Sequence, residues 1–328
     1  MSTNDQATHI HESVIIPESQ AGRRLDMALA QIFPEYSRSR LKVWIEQGGV
    51  LLEGKPVKPR EKVSGGEQVV IDVQMEAHKT VEAEPIPLSI VHEDEAILVI
   101  NKPAGLVVHP AAGNWSGTLQ NALLHHYPDL DTLPRSGIVH RLDKDTTGLM
   151  VVARTLHAHT HLVNALQTHA VEREYQAVIQ GVMTAGGRVD AAIGRHPVDR
   201  KRMAVVANGK PSVTHYRVLH RYRAHTHIML NLETGRTHQI RVHMASLQYP
   251  LTGDQTYGGR FRIPPAASPE FLQQLKMFRR QALHAARLSL IHPVTGEQVS
   301  WSASLPDDLQ DLLGALERDQ KLNQANYE

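Results

Sequence analysis

Between Arg23 and Phe33 the apolar residues Leu25, Ala28, Leu29, Ile32 and Phe33 recur at i, i+3, i+4, i+7 and i+8. That spacing marks one face of a helix, which Pro34 closes. A second helix is predicted next, with Ser37 as its cap and Leu41, Trp44 and Ile45 on its inner face. Its outer face carries Arg38, Arg40 and Lys42. Short apolar strands at residues 50–52 and 69–73, set between Gly-containing turns, complete a small unit over residues 20–80. The polar residues 1–19 before it are predicted to be a disordered tail. Residues 74–87 are charged, contain proline and show no period, so they read as a linker.

From residue 81 onward the pattern is strand-rich. Apolar or alternating runs predict strands at residues 89–92, 96–101, 148–154, 173–180, 212–219, 227–232, 282–291 and 297–303. Helical spacing predicts helices at residues 118–126, 156–169 and 237–247, and a last one after Pro306 with Leu309, Leu312, Leu313 and Leu316 on one face. Residues 262–269, with three prolines, are predicted to be a loop. No internal repeat is visible. Strands seldom alternate one-for-one with helices, which favours an α+β fold with a mixed or antiparallel sheet over a doubly wound one.

The length of 328 residues fits one large and one small domain. A 41% hydrophobic and 21% charged composition is that of an ordinary globular chain. Lys and Arg number 35 against 34 Asp and Glu, so any polyanionic partner must be met by local patches, not by net charge. The absence of cysteine excludes disulfides, thiolate zinc sites, iron–sulfur clusters and Cys nucleophiles. The first residues lack the apolar centre of a signal peptide, and runs such as residues 96–100 fall far short of the ~18 residues of a membrane span. A cytoplasmic chain with no membrane association is the expectation. The 21 histidines raise the question of a metal hydrolase. Yet His157, His159 and His161 diverge on a helix, His225 and His227 share only a strand face, and no His-Glu-x-x-His occurs, so no metal site is assigned.

Three stretches concentrate chemistry. In residues 137–148, Gly-Ile-Val-His-Arg-Leu-Asp-Lys-Asp-Thr-Thr-Gly, Asp143 lies close to Arg141 and Lys144. A carboxylate among cations stays ionised, which suits a nucleophile or an electrostatic base and not a general acid. A solvated charged turn would read the same way. In residues 234–243, Thr-Gly-Arg-Thr-His-Gln-Ile-Arg-Val-His, a turn enters a helix. Its free N–H groups, with Arg236 and Arg241, would suit an anion or merely cap the helix. In residues 173–177, Arg-Glu-Tyr-Gln-Ala, Tyr175 sits in a strand as a half-buried aromatic. Residues 143–148 also resemble the motif of an aspartyl-phosphate enzyme, but Asp145 interrupts that pattern.

Taken in order, His140-Arg141-Leu142-Asp143 with Thr147-Gly148, then Arg173-Glu174-Tyr175, then Gly235-Arg236-Thr237-His238-Gln239-Ile240-Arg241 resemble the motifs of RluA-type RNA pseudouridine synthases. Residues 101–106 (Asn-Lys-Pro-Ala-Gly-Leu), residues 213–216, Gly253-Asp254 and Tyr257-Gly258-Gly259 match in the same order. The small unit resembles the alpha-L RNA-binding module shared with ribosomal protein S-four, through Arg24-Leu25-Asp26, Ser37-Arg38-Ser39 and Gly48-Gly49-Val50. Glu53 stands where that module usually carries Asn.

The resemblance implies an α+β protein with a mixed or antiparallel-sheet pseudouridine synthase domain over residues 81–328 and an alpha-L domain over residues 20–80. It implies an isomerase converting uridine to pseudouridine in a stem-loop of large-subunit (23S) ribosomal RNA, free or in a pre-ribosomal subunit. The enzyme would work as a monomer and need no cofactor. By the same resemblance Asp143 is catalytic, attacking the sugar or removing one of its protons. Tyr175 stacks on the target uracil, and Arg241 pairs with Asp143. Arg141 fills the space left by the flipped base, and His140 and Arg236 contact substrate. Arg38, Arg40 and Lys42 grip phosphates, with a second basic patch at Arg195, Arg200, Lys201 and Arg202. The alternative is a non-catalytic rRNA-binding or ribosome assembly protein, against which the intact set of site residues argues.

Overall fold

The computed structural model describes residues 8–34, 36, 38–75, 81–111, 113–260 and 262–325. Ser37, the expected helix cap, and residues 1–7 of the expected tail lie outside them. The chain divides into two compact units, Met1–Thr80 and Val81–Glu328.

In the first unit, α1 (Leu25–Ile32) and α2 (Arg38–Glu46) share a core with β1 (Thr8–Ile15), β2 (Val50–Leu52), β3 (Lys55–Pro56) and β4 (Gln68–Met75). The four strands form an antiparallel sheet in the order β1-β4-β2-β3. Leu25, Ala28 and Leu29 of α1 and Leu41, Trp44 and Ile45 of α2 meet Val69 and Ile71 of β4, as the helical spacing requires. Residues 8–15 correct the expected disordered tail. They pair with β4 along its whole length, from Thr8 opposite Met75 to Ile15 opposite Gln68, and Ile16 behind them is fully buried. An edge strand of His, Glu, Ser and Thr carries little hydrophobic signal, and the partner that orders it lies some sixty residues away.

In the second unit, β5 (Ile90–Glu93), β6 (Ile97–Lys102) and α3 (Leu119–His126) are followed by β7 (Thr147–Ala153), α4 (Leu156–Gln167) and β8 (Glu172–Gln180). Then come β9 (Gly187–Asp190), β10 (Ile193–Arg195), β11 (Met203–Val205), β12 (Val213–Arg221) and β13 (His225–Leu232). The chain closes with α5 (Gln239–Ser246), α6 (Pro269–Met277), β14 (Leu283–Ile291), β15 (Gln298–Ser302) and α7 (Asp307–Ala325). Among the described residues, nine strands form one sheet in the order β5-β6-β7-β14-β8-β13-β12-β9, with β15 on β14. All pairings are antiparallel except β7 with β14, so the sheet is mixed.

Both faces of the centre are covered. Alternate residues of β6 and β7 separate into two apolar clusters: Leu98, Ile100, Met150 and Val152 lie with α3 and α5, and Ile97, Val99, Leu149 and Val151 with α4. That is why β7 is an unbroken apolar run. Gly148 makes its parallel step possible. At φ 113° its Hα side lies against β14, and a Cβ there would come within 2.3 Å of the Ala285 carbonyl oxygen. The helix α6 begins where the loop was predicted to end, because Pro269 occupies its first turn and Ser268 caps it from the Phe271 N–H. Phe271 and Leu275, one turn apart, are its buried residues.

Candidate active site

Two segments nearly a hundred residues apart meet on the helix-covered face. The first is the loop from Ile138 to Thr146 that enters β7. His140 at its start accepts a hydrogen bond on Nε2 from the Val151 N–H (3.0 Å). Burial, with Arg173 nearby, pushes that imidazole down to about 3, so it is a neutral anchor at the cavity wall. The turn after it closes through Thr146 N–H to Asp143 O, and Gln281 holds Thr146 Oγ1 at 3.0 Å. Beneath the turn lies Lys102, 1% exposed, whose Nζ donates to the carbonyls of Pro103, Leu106 and Lys144 at 2.7–2.9 Å. Burial pushes this ammonium down to about 8 against the pull of Asp145 and Asp143. A deprotonated Lys102 has one donor fewer for three carbonyls, which loosens the loop that carries Asp143. Turnover is therefore expected to fall as pH rises through about 8. In a pH–rate profile, Lys102→Arg should move that limb upward, and an unmoved limb would show that it belongs to another group.

The second segment is the turn from Thr234 into α5. Gln239 organises it. Its Oε1 accepts from Thr234 Oγ1 (2.7 Å) and the Arg236 N–H (3.0 Å), and its Nε2 donates to Val213 O of β12 (2.9 Å). The helix starts at Gln239, two residues later than its apolar spacing predicts, because His238 takes a left-handed conformation at φ 57°. That turn aims His238 inward. Its Nδ1 lies 2.7 Å from the Tyr257 hydroxyl, which itself accepts the Met203 N–H. Burial holds His238 below the ordinary imidazole range despite the opposing pull of Asp143. A neutral ring with its proton on Nε2 presents it to Asp143 Oδ1, 3.8 Å away.

Arg241, one turn further on, joins the segments. Its Nη1 donates to Asp143 Oδ2 at 2.9 Å, the pairing expected from the sequence. Its other edge meets Asp254 as a fork, Nε to Oδ2 at 2.7 Å and Nη2 to Oδ1 at 2.9 Å. Asp254 is fully buried and takes further N–H bonds from Thr256 and Tyr257. Burial alone would raise its carboxyl and lower the guanidinium; mutual pairing outweighs both, so Asp254 is held low and Arg241 high. Asp143, with a side chain 15% exposed, lines the cavity beside this clamp.

Asp143, Tyr175, Arg141, His140, Arg236 and Arg241 all line one cavity of about 520 Å³, within the usual range for ligand sites of ~300–1,000 Å³. Tyr175 comes from β8, opposite Leu230 and Ala285, and is 5% exposed. Burial raises its phenol above the ordinary value of 10.0, with Arg173 opposing and Asp143 adding to the rise. Arg141 and Arg236 are exposed. Lys102, Asp254, His238 and Tyr257 had no role assigned from sequence. Their signal was present, since all stand within matched motifs, but only the contacts distinguish a buried anchor from a surface residue.

The basic residues of the first unit are more committed than their charge suggests. Arg38 donates through Nε and Nη2 to Asp26 Oδ2, and Arg24 holds the same carboxylate, which is 2% exposed. Arg38 remains half-exposed. Lys42 lies 3.5 Å from Glu46 one turn on, an exposed pair of little energetic weight. Arg40 is half-buried on the same helix. In the second unit Arg195 donates to Arg200 O within the β10–β11 hairpin, and Arg202 lies over the Tyr257 ring at 5.2 Å. His225 is buried and His227 bonds Gln176; among the described residues, no group of three His, Asp or Glu is arranged to hold a metal ion. None of the described helices is long and apolar enough to cross a membrane.

The cavity thus sets an aspartate clamped by a buried arginine beside an aromatic on a mixed sheet. The sequence profile described as RNA pseudouridylate synthase matches residues 96–246, and that of the S4 domain matches residues 23–69. The chain belongs to the family of RNA pseudouridine synthases, enzymes that isomerise uridine within RNA. It is 57% identical over 314 residues to the ribosomal large subunit pseudouridine synthase D of Yersinia pestis, covering 95% of this chain and 97% of the relative. It is 58% identical over 317 residues to the protein of that name in Pasteurella multocida, covering 96% and 98%. Among solved structures it is similar to human RNA pseudouridylate synthase domain containing 4, with a TM-score of 0.53 and 28% identity over 70% of this chain and 93% of that one.

Proposed function

We propose that this enzyme converts uridine to pseudouridine in large-subunit ribosomal RNA, in a stem-loop whose target nucleotide flips into the cavity lined by Asp143 and Tyr175. The observation that carries this reading is the clamp itself. Asp143 is tied to Arg241, which Asp254 fixes from behind, so a carboxylate is held in one orientation at a cavity wall.

The reaction breaks the bond from uracil N1 to C1′ of the ribose, turns the base and joins C5 to C1′. The C5 proton leaves and N1 gains one, so atoms and electrons balance without an oxidant or reductant. Extrusion from a duplex costs a few kcal/mol, and base–aromatic stacking on Tyr175 returns ~1–3 kcal/mol. Asp143 either attacks the sugar or takes a sugar proton; both need the carboxylate that Arg241 orients. Arg141, exposed at the cavity, is placed to occupy the gap in the stack, and Arg236 to meet the backbone. His140 supports the loop as a neutral ring.

The Met1–Thr80 unit, matched by the S4 domain, supplies sequence-independent phosphate contacts through the α2 face with Arg38, Arg40 and Lys42. The names of the relatives support ribosomal RNA as the partner. On this reading a cytoplasmic monomer meets it as free RNA or as a pre-ribosomal particle. Pseudouridine mapping of large-subunit rRNA, from cells with and without the protein, tests the reading. Specific positions should revert to uridine in its absence and return with the wild-type gene. An unchanged map would remove large-subunit rRNA as the substrate.

A further inference from the structure

Arg173 stands in β8 two residues before Tyr175, on the same buried face of the strand. It is 8% exposed and lines the cavity with Asp143. Its Nε is buried without a hydrogen-bond partner, and among the described residues no carboxylate lies within ion-pair distance of it. The other arginine that this unit buries, Arg241, meets two carboxylates, and the half-buried Arg223 and Arg280 pair with Asp319 and Asp308. Arg202 also has a buried Nε without a hydrogen-bond partner, but its guanidinium lies over the Tyr257 ring. Arginine keeps its charge, and a buried charge without a counter-ion is costly to hold.

The backbone nevertheless makes room for it. A Cβ on Gly235 would lie 2.7 Å from Arg173 Nη1, so the glycine at that turn gives the guanidinium room in its present position. Gly235 opens the turn that leads to His238 and Arg241. The nearby lining adds Arg135, Arg141 and Arg236, all exposed. Asp143 is held by Arg241, which also meets Asp254, and makes no ion pair with Arg173. Of the buried charges at the cavity, Arg173 is therefore the one free to receive an anion from outside. A planar fork of N–H donors fits the oxygens of a phosphate.

We propose that Arg173 is a substrate-positioning residue that binds a backbone phosphate of the flipped nucleotide, on its 5′ or its 3′ side. The inference rests on the reading that uridine in RNA enters this cavity. Two strand residues span ~7 Å. A nucleotide whose base lies against Tyr175 carries its phosphates one sugar away, toward Arg173. The bound phosphate supplies the missing counter-ion and fixes the sugar relative to Asp143.

The test is a double-mutant cycle between protein and RNA, read as single-turnover tritium release from C5-labelled stem-loop RNA. A methylphosphonate linkage, which is neutral, replaces the phosphate 5′ or 3′ of the target. For wild-type enzyme, one of the two linkages should slow turnover ~10–100-fold, the worth of a charge-assisted hydrogen bond. Arg173→Met should slow unmodified RNA by a similar factor and be insensitive to that linkage. Arg173→Lys, charged but without the fork, should fall between. In the absence of RNA, Arg173→Met should melt at or above the wild-type temperature, because it removes an unpaired buried charge.

Additive effects with both linkages, or a melting temperature well below wild type, would overturn the proposal. The wild-type rate on unmodified RNA separates the two readings. A normal rate without coupling sinks the role of Arg173 alone, and no wild-type turnover on any large-subunit segment sinks the substrate reading and the phosphate with it.

Discussion

Asp143→Asn should abolish isomerisation while leaving RNA binding and the fold intact. Asparagine keeps the shape of the side chain and can still accept the Arg241 Nη1 hydrogen bond that spans 2.9 Å in the wild type. It lacks the charge needed either to attack the sugar or to take a proton. A positioned base alone is worth ~10²–10⁴-fold, and loss of a covalent step exceeds that. The check is tritium release under single turnover, with RNA affinity measured separately by filter binding. Turnover by the variant within tenfold of wild type would remove Asp143 from the chemistry. A loss of affinity equal to the loss of rate would place it in binding.

Arg241→Met should be the most destabilising substitution in the site. It strips Asp254, which has no exposed side-chain surface, of its forked partner, and it unpairs Asp143 as well. Breaking a buried pair by removing one side costs ~3–5 kcal/mol, which lowers the melting temperature of a domain this size by roughly 6–20 °C. Activity should fall with it. Arg241→Lys keeps the charge but has one nitrogen where three are used, so it should recover stability in part and rate less.

The pair also sets a direction for pH. The folded carboxyl of Asp254 is held below its ordinary value of 3.8, so its contribution is fully present above that value and is lost as pH falls through the lowered one. Asp254→Asn should therefore melt lower than wild type at neutral pH and approach it under acid conditions, as followed by circular dichroism. A constant gap between the two curves from neutral pH to acid would show that the carboxylate is not what stabilises the fold.

The helices α1, α2, α4 and α7 were legible because each buries one apolar stripe, and spacing alone reports a stripe. β7 was legible as a buried run because the sheet is covered on both faces. β1 was not. Its side chains are mostly polar, and its order comes from backbone pairing with β4. The start of α5 was misplaced by two residues because His238 adopts a left-handed conformation, which its neighbours Tyr257 and Asp143 favour and no local pattern reveals. The short strands β9, β10 and β11 bury too few residues each to generate a period.

The candidate site divides in the same way. The candidate residues were readable along the chain, since an aspartate among cations, an aromatic in a strand and an arginine after a turn each stand in an ordered motif. Which of them touch was not readable, because a contact between residues 143 and 241 is a property of the packed sheet and not of either segment. Folding also sorted the charges. It committed Arg38 to Asp26, buried Lys102 beneath the loop, placed Asp254 behind Arg241 and left Arg173 without a counter-ion. In one dimension these are all charged residues beside other charged residues; burial and geometry alone decide which are satisfied by the protein and which await a substrate.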